Sequence, residues 1–293
     1  MTPGPAAYPP PMGTSVREAF RVVPAGPGLS GIDPRGRPLG PKDKSAAAES
    51  TVDLGERLDG LQEALYAEAT AGGRRALLLV LQGMDTSGKG GTIRHVGGLV
   101  NPQGLHIASF KKPTPEELEH HFLWRIRREV PRPGFIGVFD RSHYEDVLVP
   151  RVEGVITEDA LRERYDEINA FEAELAGQGV TVMKCMLHIS PQEQAERLLA
   201  RLDDPTKRWK YNPGDLVSRA KWGDYQQAYT DALHHCDSDA APWYVVPSDR
   251  KWYRNWAVAA LLAETLAEMD PQFPQPNIDI DAERARLAAS KVS

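Results

Sequence analysis

The stretch LQGMDTSGKGGT, Leu81 to Thr92, places Gly83, Gly88 and Lys89 at the G-x-x-x-x-G-K spacing of a phosphate-binding loop. In such a loop, backbone N–H groups and the start of the following helix point at phosphate oxygens, and the lysine adds charge. An ordinary glycine-rich turn could carry the same letters. The context favours phosphate: the apolar run ALLLVLQ precedes the loop and the helical pattern GTIRHVGGLV follows it. Gly83, Gly88, Lys89, Gly90, Gly91, Thr92 and Arg94 are therefore candidate phosphate contacts. The residue after the lysine is ordinarily Ser or Thr, whose hydroxyl helps hold magnesium; here it is Gly90. Two substitutes stand nearby. Thr92 comes two residues late. Asp85 lies inside the loop, where a carboxylate would repel phosphate unless a cation lay between them, which makes it a candidate ligand for a hard cation. The competing reading of Asp85 is a turn-stabilising or capping side chain.

A second acid stands at the end of another apolar run, in GFIGVFDRSHYEDVLVPRV. Asp140 ends that run, the position at which an acid completes a magnesium site in phosphate-loop enzymes. Asp85 and Asp140 could thus share one ion. Arg141 follows and can clamp phosphate with two parallel hydrogen bonds. A surface Asp–Arg pair at a strand end is the plainer alternative.

The segment RLDDPTKRWKYNPGDLVSRAKW concentrates Arg201, Lys207, Arg208, Lys210, Arg219 and Lys221 against Asp203, Asp204 and Asp215, in a chain whose formal net charge is −6. A solvated helix face is the ordinary explanation of such a run. Pro205 and Pro213 and the interleaved aromatic residues favour a mobile lid that closes cations over phosphates. Lys111 and Lys112 would extend the same positive rim.

These residues need a frame. Strands are expected at Ala76–Gln82, Leu105–Phe110, Phe135–Phe139, Val180–Ile189 and Trp243–Pro247. Helical patterns are expected at 50–71, Gly91–Val100, Pro115–Val130, Thr157–Ala176, Pro191–Leu202 and Trp252–Met269. Near-continuous apolar strands alternating with helices predict an α/β fold with a parallel sheet of about five strands covered on both faces. Ten of the 24 prolines fall in residues 1–50, so 1–49 reads as an arm with a disordered tip. Residues 50–270 read as the main domain, with a helical insertion at about 203–240, and 271–293 as a weakly structured tail.

The chain is 293 residues long and 41% apolar, enough for a sizeable core. It has no apolar run long enough to span a bilayer and no basic-then-apolar start, so no membrane or secretory role is expected. Cys185 and Cys236 are its only cysteines, which suits a reducing cytoplasm. The acidic balance argues against a nucleic-acid partner. The adjacent pairs His120–His121 and His234–His235 do not share a helix face, and zinc-ligand spacings are missing.

Taken together, the blocks LQGMDTSGKGGTIRHV, FDRSHYEDVLVPRV, RLDDPTKRWKYNPGDL and APWYVVPSDRKWYRNWAV resemble the polyphosphate kinase 2 family, in matching order over residues 30–270. The resemblance implies a three-layer α/β/α sandwich related to nucleotide kinases, with a helical lid. It also implies transfer of a terminal phosphate between inorganic polyphosphate and a nucleotide. The implied cofactor is Mg²⁺, with Mn²⁺ the alternative ion, and the implied acceptors are adenine nucleotides, with guanine the alternative base. By the same resemblance, Asp85 and Asp140 match an essential acidic pair, Lys89 the loop lysine and Arg141 the arginine after the second acid. Arg201, Lys207 and Lys210 match the basic lid, to which Arg208 and Asp215 also belong. The block with His143, Tyr144 and Glu145 is similar to the subgroup that phosphorylates both AMP and ADP. Family members commonly assemble as dimers or tetramers, so a homo-oligomer is expected. The rival readings are an ATP-dependent nucleoside monophosphate kinase and a non-catalytic polyphosphate- or nucleotide-binding protein.

Overall fold

The computed structural model describes residues 15–23 and 26–290; the expected disordered tip at the start of the chain lies outside them. In chain order the elements are α1 (Val16–Phe20), α2 (Lys44–Thr70), β1 (Ala76–Gln82), α3 (Lys89–Gly97), β2 (Leu105–Ser109), α4 (Pro115–Leu118), α5 (Trp124–Arg127), β3 (Ile136–Asp140), α6 (Glu145–Val152), α7 (Glu158–Gly177), β4 (Val180–His188), α8 (Pro191–Asp203), α9 (Gly214–Ala220), α10 (Trp222–His235), β5 (Trp243–Pro247), α11 (Lys251–Met269) and α12 (Ile280–Ala289). The five strands form one parallel sheet in the order β2-β3-β1-β4-β5.

Every residue of β1 is buried, because helices cover both faces of the sheet. Alternation along the strand sorts the side chains. Leu77, Leu79 and Leu81 join Ile136, Val138, Met183 and Cys185 in a core with α2, α3 and α11. Ala76, Leu78 and Val80 face the other way, toward Phe139, Phe171 and Val182 on the side of α5 and α7. This is the three-layer α/β/α arrangement of P-loop kinases. Helix starts are capped as local chemistry dictates: Asp43, Thr157 and Ser190 each accept from a backbone N–H in the first turn of α2, α7 and α8.

Two expectations change. The helix expected over Pro115–Val130 is two short helices, α4 and α5, separated by a turn that aims Leu123 inward and leaves His120 and His121 exposed. The insertion at 203–240 divides in two. Only 204–221 projects, while α10 buries Ala228, Tyr229, Ala232 and Leu233 against Met84, Tyr144 and Leu148. The described part of the arm packs on the domain. Val22 N–H bonds Trp243 O, Asp249 N–H bonds Pro34 O, and Phe20, Val22 and Leu29 are buried. In the tail, α12 forms but buries no residue. Among the described residues, no helix is long and apolar enough to cross a membrane.

Candidate active site

The site assembles where β1 and β3 end side by side. Leu81 pairs with Asp140, and Arg141 N–H bonds Leu81 O at 3.1 Å, so the glycine loop and the Asp140–Arg141 corner emerge together at the carboxyl edge of the sheet. Two glycines are demanded by geometry. Gly83 has φ +149°, and a Cβ there would stand 2.7 Å from Leu187 O. Gly88, at the start of α3, has φ +107°, and a Cβ would meet Arg254 Nη1 at 1.7 Å. Thr86 and Arg141 also hold left-handed backbone, each at φ +66°. Such conformations cost on the order of 1–3 kcal/mol each and concentrate where function needs a particular aim.

Lys89 Nζ donates to Gly83 O at 2.7 Å, lying back along the loop. Burial lowers its pKa and the neighbouring Arg141 pushes the same way, while Asp140, Asp85 and Glu145 oppose them. The ammonium therefore sits where all these charges meet. Arg141 spans two carboxylates: Nη2 to Asp85 Oδ1 at 2.9 Å and Nη1 to Glu145 Oε2 at 2.8 Å. Those acids, Glu145 foremost, hold its pKa above the ordinary arginine value. Asp85 is thus an ion-paired carboxylate beside the loop and not its capping group. Among the described residues, the Asp140 carboxylate has no hydrogen-bond or ion-pair partner.

That donor set accommodates a hard cation. Asp85 lines the cavity over this corner, Asp140 lines neither it nor the adjoining groove, and both carboxylates act on the Lys89 ammonium between them; oxygen is the donor such ions take. Among the described residues, no group of three or more metal-ligating side chains forms. The protein would therefore offer few ligands, which suits an ion that retains its waters and binds substrate phosphates.

A cavity of about 270 Å³ opens over this corner. Its floor is Gly83, Met84, Asp85, Arg141 and Glu145, and α10 contributes Tyr225 and Tyr229. The projecting segment closes it with Asn212, Gly214, Asp215 and Ser218. Beyond Thr86 lies a second groove of about 400 Å³, lined by Arg197, Arg201, Lys207, Lys210 and Lys251 with Glu193 and Glu196. Arg201 joins the two, donating to Lys210 O at 2.9 Å and to Asp215 Oδ2 at 3.3 Å. Burial raises the Asp215 pKa, and Asp85 adds to the rise.

The structure therefore brings Gly83, Asp85, Arg141, Glu145 and Asp215 to one cavity and Arg201, Lys207 and Lys210 to the adjoining groove. Gly90 and Gly91 are exposed in the first turn of α3. Thr92 is wholly buried, and its hydroxyl has no partner. Arg94, Lys111 and Lys112 are exposed and line neither space, and Arg208 turns back to Leu202 O at 2.8 Å. His143 and Tyr144 do not reach the cavity. Both are fully buried behind it, bonded to Glu172 Oε1 at 3.1 and 3.0 Å, with Lys184 Nζ 2.8 Å from the Tyr144 hydroxyl. Sequence reasoning missed Tyr225 and Tyr229, whose i, i+4 spacing was a usable helical signal. It also missed Arg197, four residues before Arg201 on the same helix face.

A parallel sheet, a glycine loop with its lysine, and an acidic pair at two adjacent strand ends define a phosphotransferase of the P-loop kinase class. The chain belongs to the polyphosphate kinase 2 family, whose model, Polyphosphate kinase 2 (PPK2), matches residues 41–274. It is 47% identical to an AMP/ADP-polyphosphate phosphotransferase of Meiothermus ruber over 88% of this chain and 95% of that one. It is 41% identical to an ADP-polyphosphate phosphotransferase of Rhodopseudomonas palustris, over 75% and 79% of the two chains. The crystal structure of Polyphosphate Kinase 2 from Arthrobacter aurescens superposes with a TM-score of 0.92 at 47% identity, covering 94% of this chain and 97% of that one. The protein is accordingly a polyphosphate-dependent nucleotide phosphotransferase.

Proposed function

We propose that the chain passes the terminal phosphate of polyphosphate to AMP and to ADP in one site. The observation that carries this reading is the pair of spaces on either side of the loop. The groove lined by Arg197, Arg201, Lys207, Lys210 and Lys251 carries the charge to hold an extended polyanion. In the smaller cavity, Arg141 would meet a nucleotide phosphate, and Tyr225 and Tyr229 its sugar or base. Donor and acceptor would then meet over the loop amides and Lys89, in line for direct transfer. Positioning and charge neutralisation supply most of the catalysis in such reactions. The acceptor oxygen belongs to a phosphate already ionised at neutral pH, so no general base is required. In this reading Lys89 neutralises the moving group, Arg141 orients the acceptor phosphate, and the segment 204–221 excludes water.

Family membership points to a divalent cation, and we assign Mg²⁺ to Asp85 and Asp140, with Mn²⁺ as an alternative. When bound, it neutralises charge on the transferring phosphate. The name of the Meiothermus ruber relative supports the dual acceptor; that of the Mycobacterium tuberculosis GDP-polyphosphate phosphotransferase, 33% identical, motivates including guanine nucleotides. The test is purified enzyme with polyphosphate and AMP, ADP, GMP or GDP, with each product separated. Turnover with ATP plus a monophosphate but none with polyphosphate would support an ATP-dependent kinase instead, and binding without turnover a non-catalytic role.

A further inference from the structure

Behind the phosphate loop lies a buried arginine that the transfer chemistry does not use. Arg254, on α11, is 3% exposed. Its Nη1 donates to Ser87 O at 3.1 Å, and its Nε and Nη2 both reach the side-chain oxygen of the next residue, Asn255, at 3.2 and 2.7 Å. It presses on the glycines of the loop and of the first turn of α3: a Cβ on Gly88 would collide with Nη1, and one on Gly91 would come within 3.1 Å of Nη2.

The electrostatics of this position are unfavourable without an anion. Among the described residues, no carboxylate is within ion-pair distance of Arg254. The nearby acid, Glu193, is already engaged by Arg197 at 2.8 Å. Arg197 is itself a buried cation, bonded to Thr86 O at 2.8 Å and Ser87 O at 2.9 Å. Arg254 also lies beside the positive end of α3, which adds repulsion. Burial, followed by Arg197, lowers the Arg254 pKa to about 10. A buried charge without a partner is costly.

We propose that Arg254 is a positioning residue for phosphoryl transfer. It holds the Ser87 carbonyl away from the donor so that the loop N–H groups face phosphate, and its uncompensated charge is satisfied only when a polyphosphate anion occupies the loop. Donor binding thereby relieves a strain built into the empty site. The inference rests on the loop being the donor phosphate site, which Lys89 tests separately.

The experiment uses the full chain and tripolyphosphate without nucleotide, reading melting temperature with and without the anion. R254M should melt at or above wild type when empty, because an unpaired buried charge is gone, and should lose most of the shift that tripolyphosphate gives wild type. Its KM for polyphosphate should rise about tenfold, the equivalent of one charge-assisted hydrogen bond, while its KM for ADP stays within about twofold. R254K, which keeps the charge, should retain a clear tripolyphosphate shift. A purely structural arginine predicts the opposite, so an R254M protein that fails to fold, or melts well below wild type yet keeps the full anion shift, overturns the proposal. If K89A also binds and transfers like wild type, the loop assignment itself is wrong. If K89A is impaired but R254M keeps wild-type donor KM and anion shift, only the Arg254 inference falls.

Discussion

At the scale of single residues, the missing hydroxyl after Lys89 is the informative departure. Asp85 was legible in the sequence because an acid inside a phosphate loop poses an electrostatic conflict that needs a cation to resolve it. Its ion pair with Arg141 was not legible, since the two residues are 56 positions apart and meet only through the β1–β3 register. Arg254 was equally hidden: nothing in the pattern of α11 distinguishes a buried arginine aimed at a loop carbonyl from one on the surface. If Asp85 is a metal ligand, Asp85→Asn should lower Mg²⁺-dependent turnover by at least about 100-fold, as loss of a charged group that organises the transition state does. Circular dichroism should show the fold intact. Near-normal turnover would place the cation elsewhere. Thr92→Val gives the contrast. Its hydroxyl is buried without a partner, so the isosteric valine should keep activity within about threefold and raise stability by about 1 kcal/mol. A collapse of activity comparable to that of Asp85→Asn would return Thr92 to the metal.

At the scale of elements, the five strands were legible because each is a short, nearly continuous apolar run, and their observed ends fall within two residues of those expected. The role of α10 was not. Its buried positions, Ala228, Tyr229, Ala232 and Leu233, include two small alanines and a tyrosine in a polar, aromatic-rich stretch, so composition masked a core helix. The proposed lid is accordingly a shorter unit, 204–221. Limited proteolysis of the free protein should cut within 204–221 and spare α10, and polyphosphate with nucleotide should protect the cut sites. Lys207 and Lys210 are exposed on this unit. Replacing both by Ala should reduce turnover strongly, with a defect that depends on ionic strength because exposed charges are screened by salt. Folding stability should change by less than about 0.5 kcal/mol, as for most surface charges. Full activity in the double variant, or cleavage unaffected by ligands, would make the segment a solvated face.

At the scale of the whole molecule, the layers and the position of the site at the carboxyl edge followed from strand–helix alternation. The arm did not, because Phe20, Val22 and Leu29 are isolated apolar residues whose burial has no periodicity to announce it. Ile32 and Asp33 of that arm lie beside His188, and His95, on α3, is half-buried near Arg254 of α11. Burial pushes both imidazoles below their ordinary value of 6.5, with Arg254 adding to the effect at His95. The unfolded chain therefore binds protons more readily than the folded one just below pH 6.5. Their contribution to stability is complete above that pH and is lost as pH falls toward the folded-state values, with a slope of at most about 1.4 kcal/mol per pH unit for each group. Urea midpoints measured from pH 7.5 to 5.5 should fall for wild type and fall less for a His95→Gln, His188→Gln double variant; identical slopes would contradict this. The central claim is that one site takes both nucleotides from the same polyphosphate donor. It is tested most directly by a time course of purified enzyme with polyphosphate, Mg²⁺ and AMP alone, with AMP, ADP and ATP separated at each point. The account predicts ADP first and ATP after it, with no ATP added. AMP left unchanged, while ADP is phosphorylated under the same conditions, would contradict it.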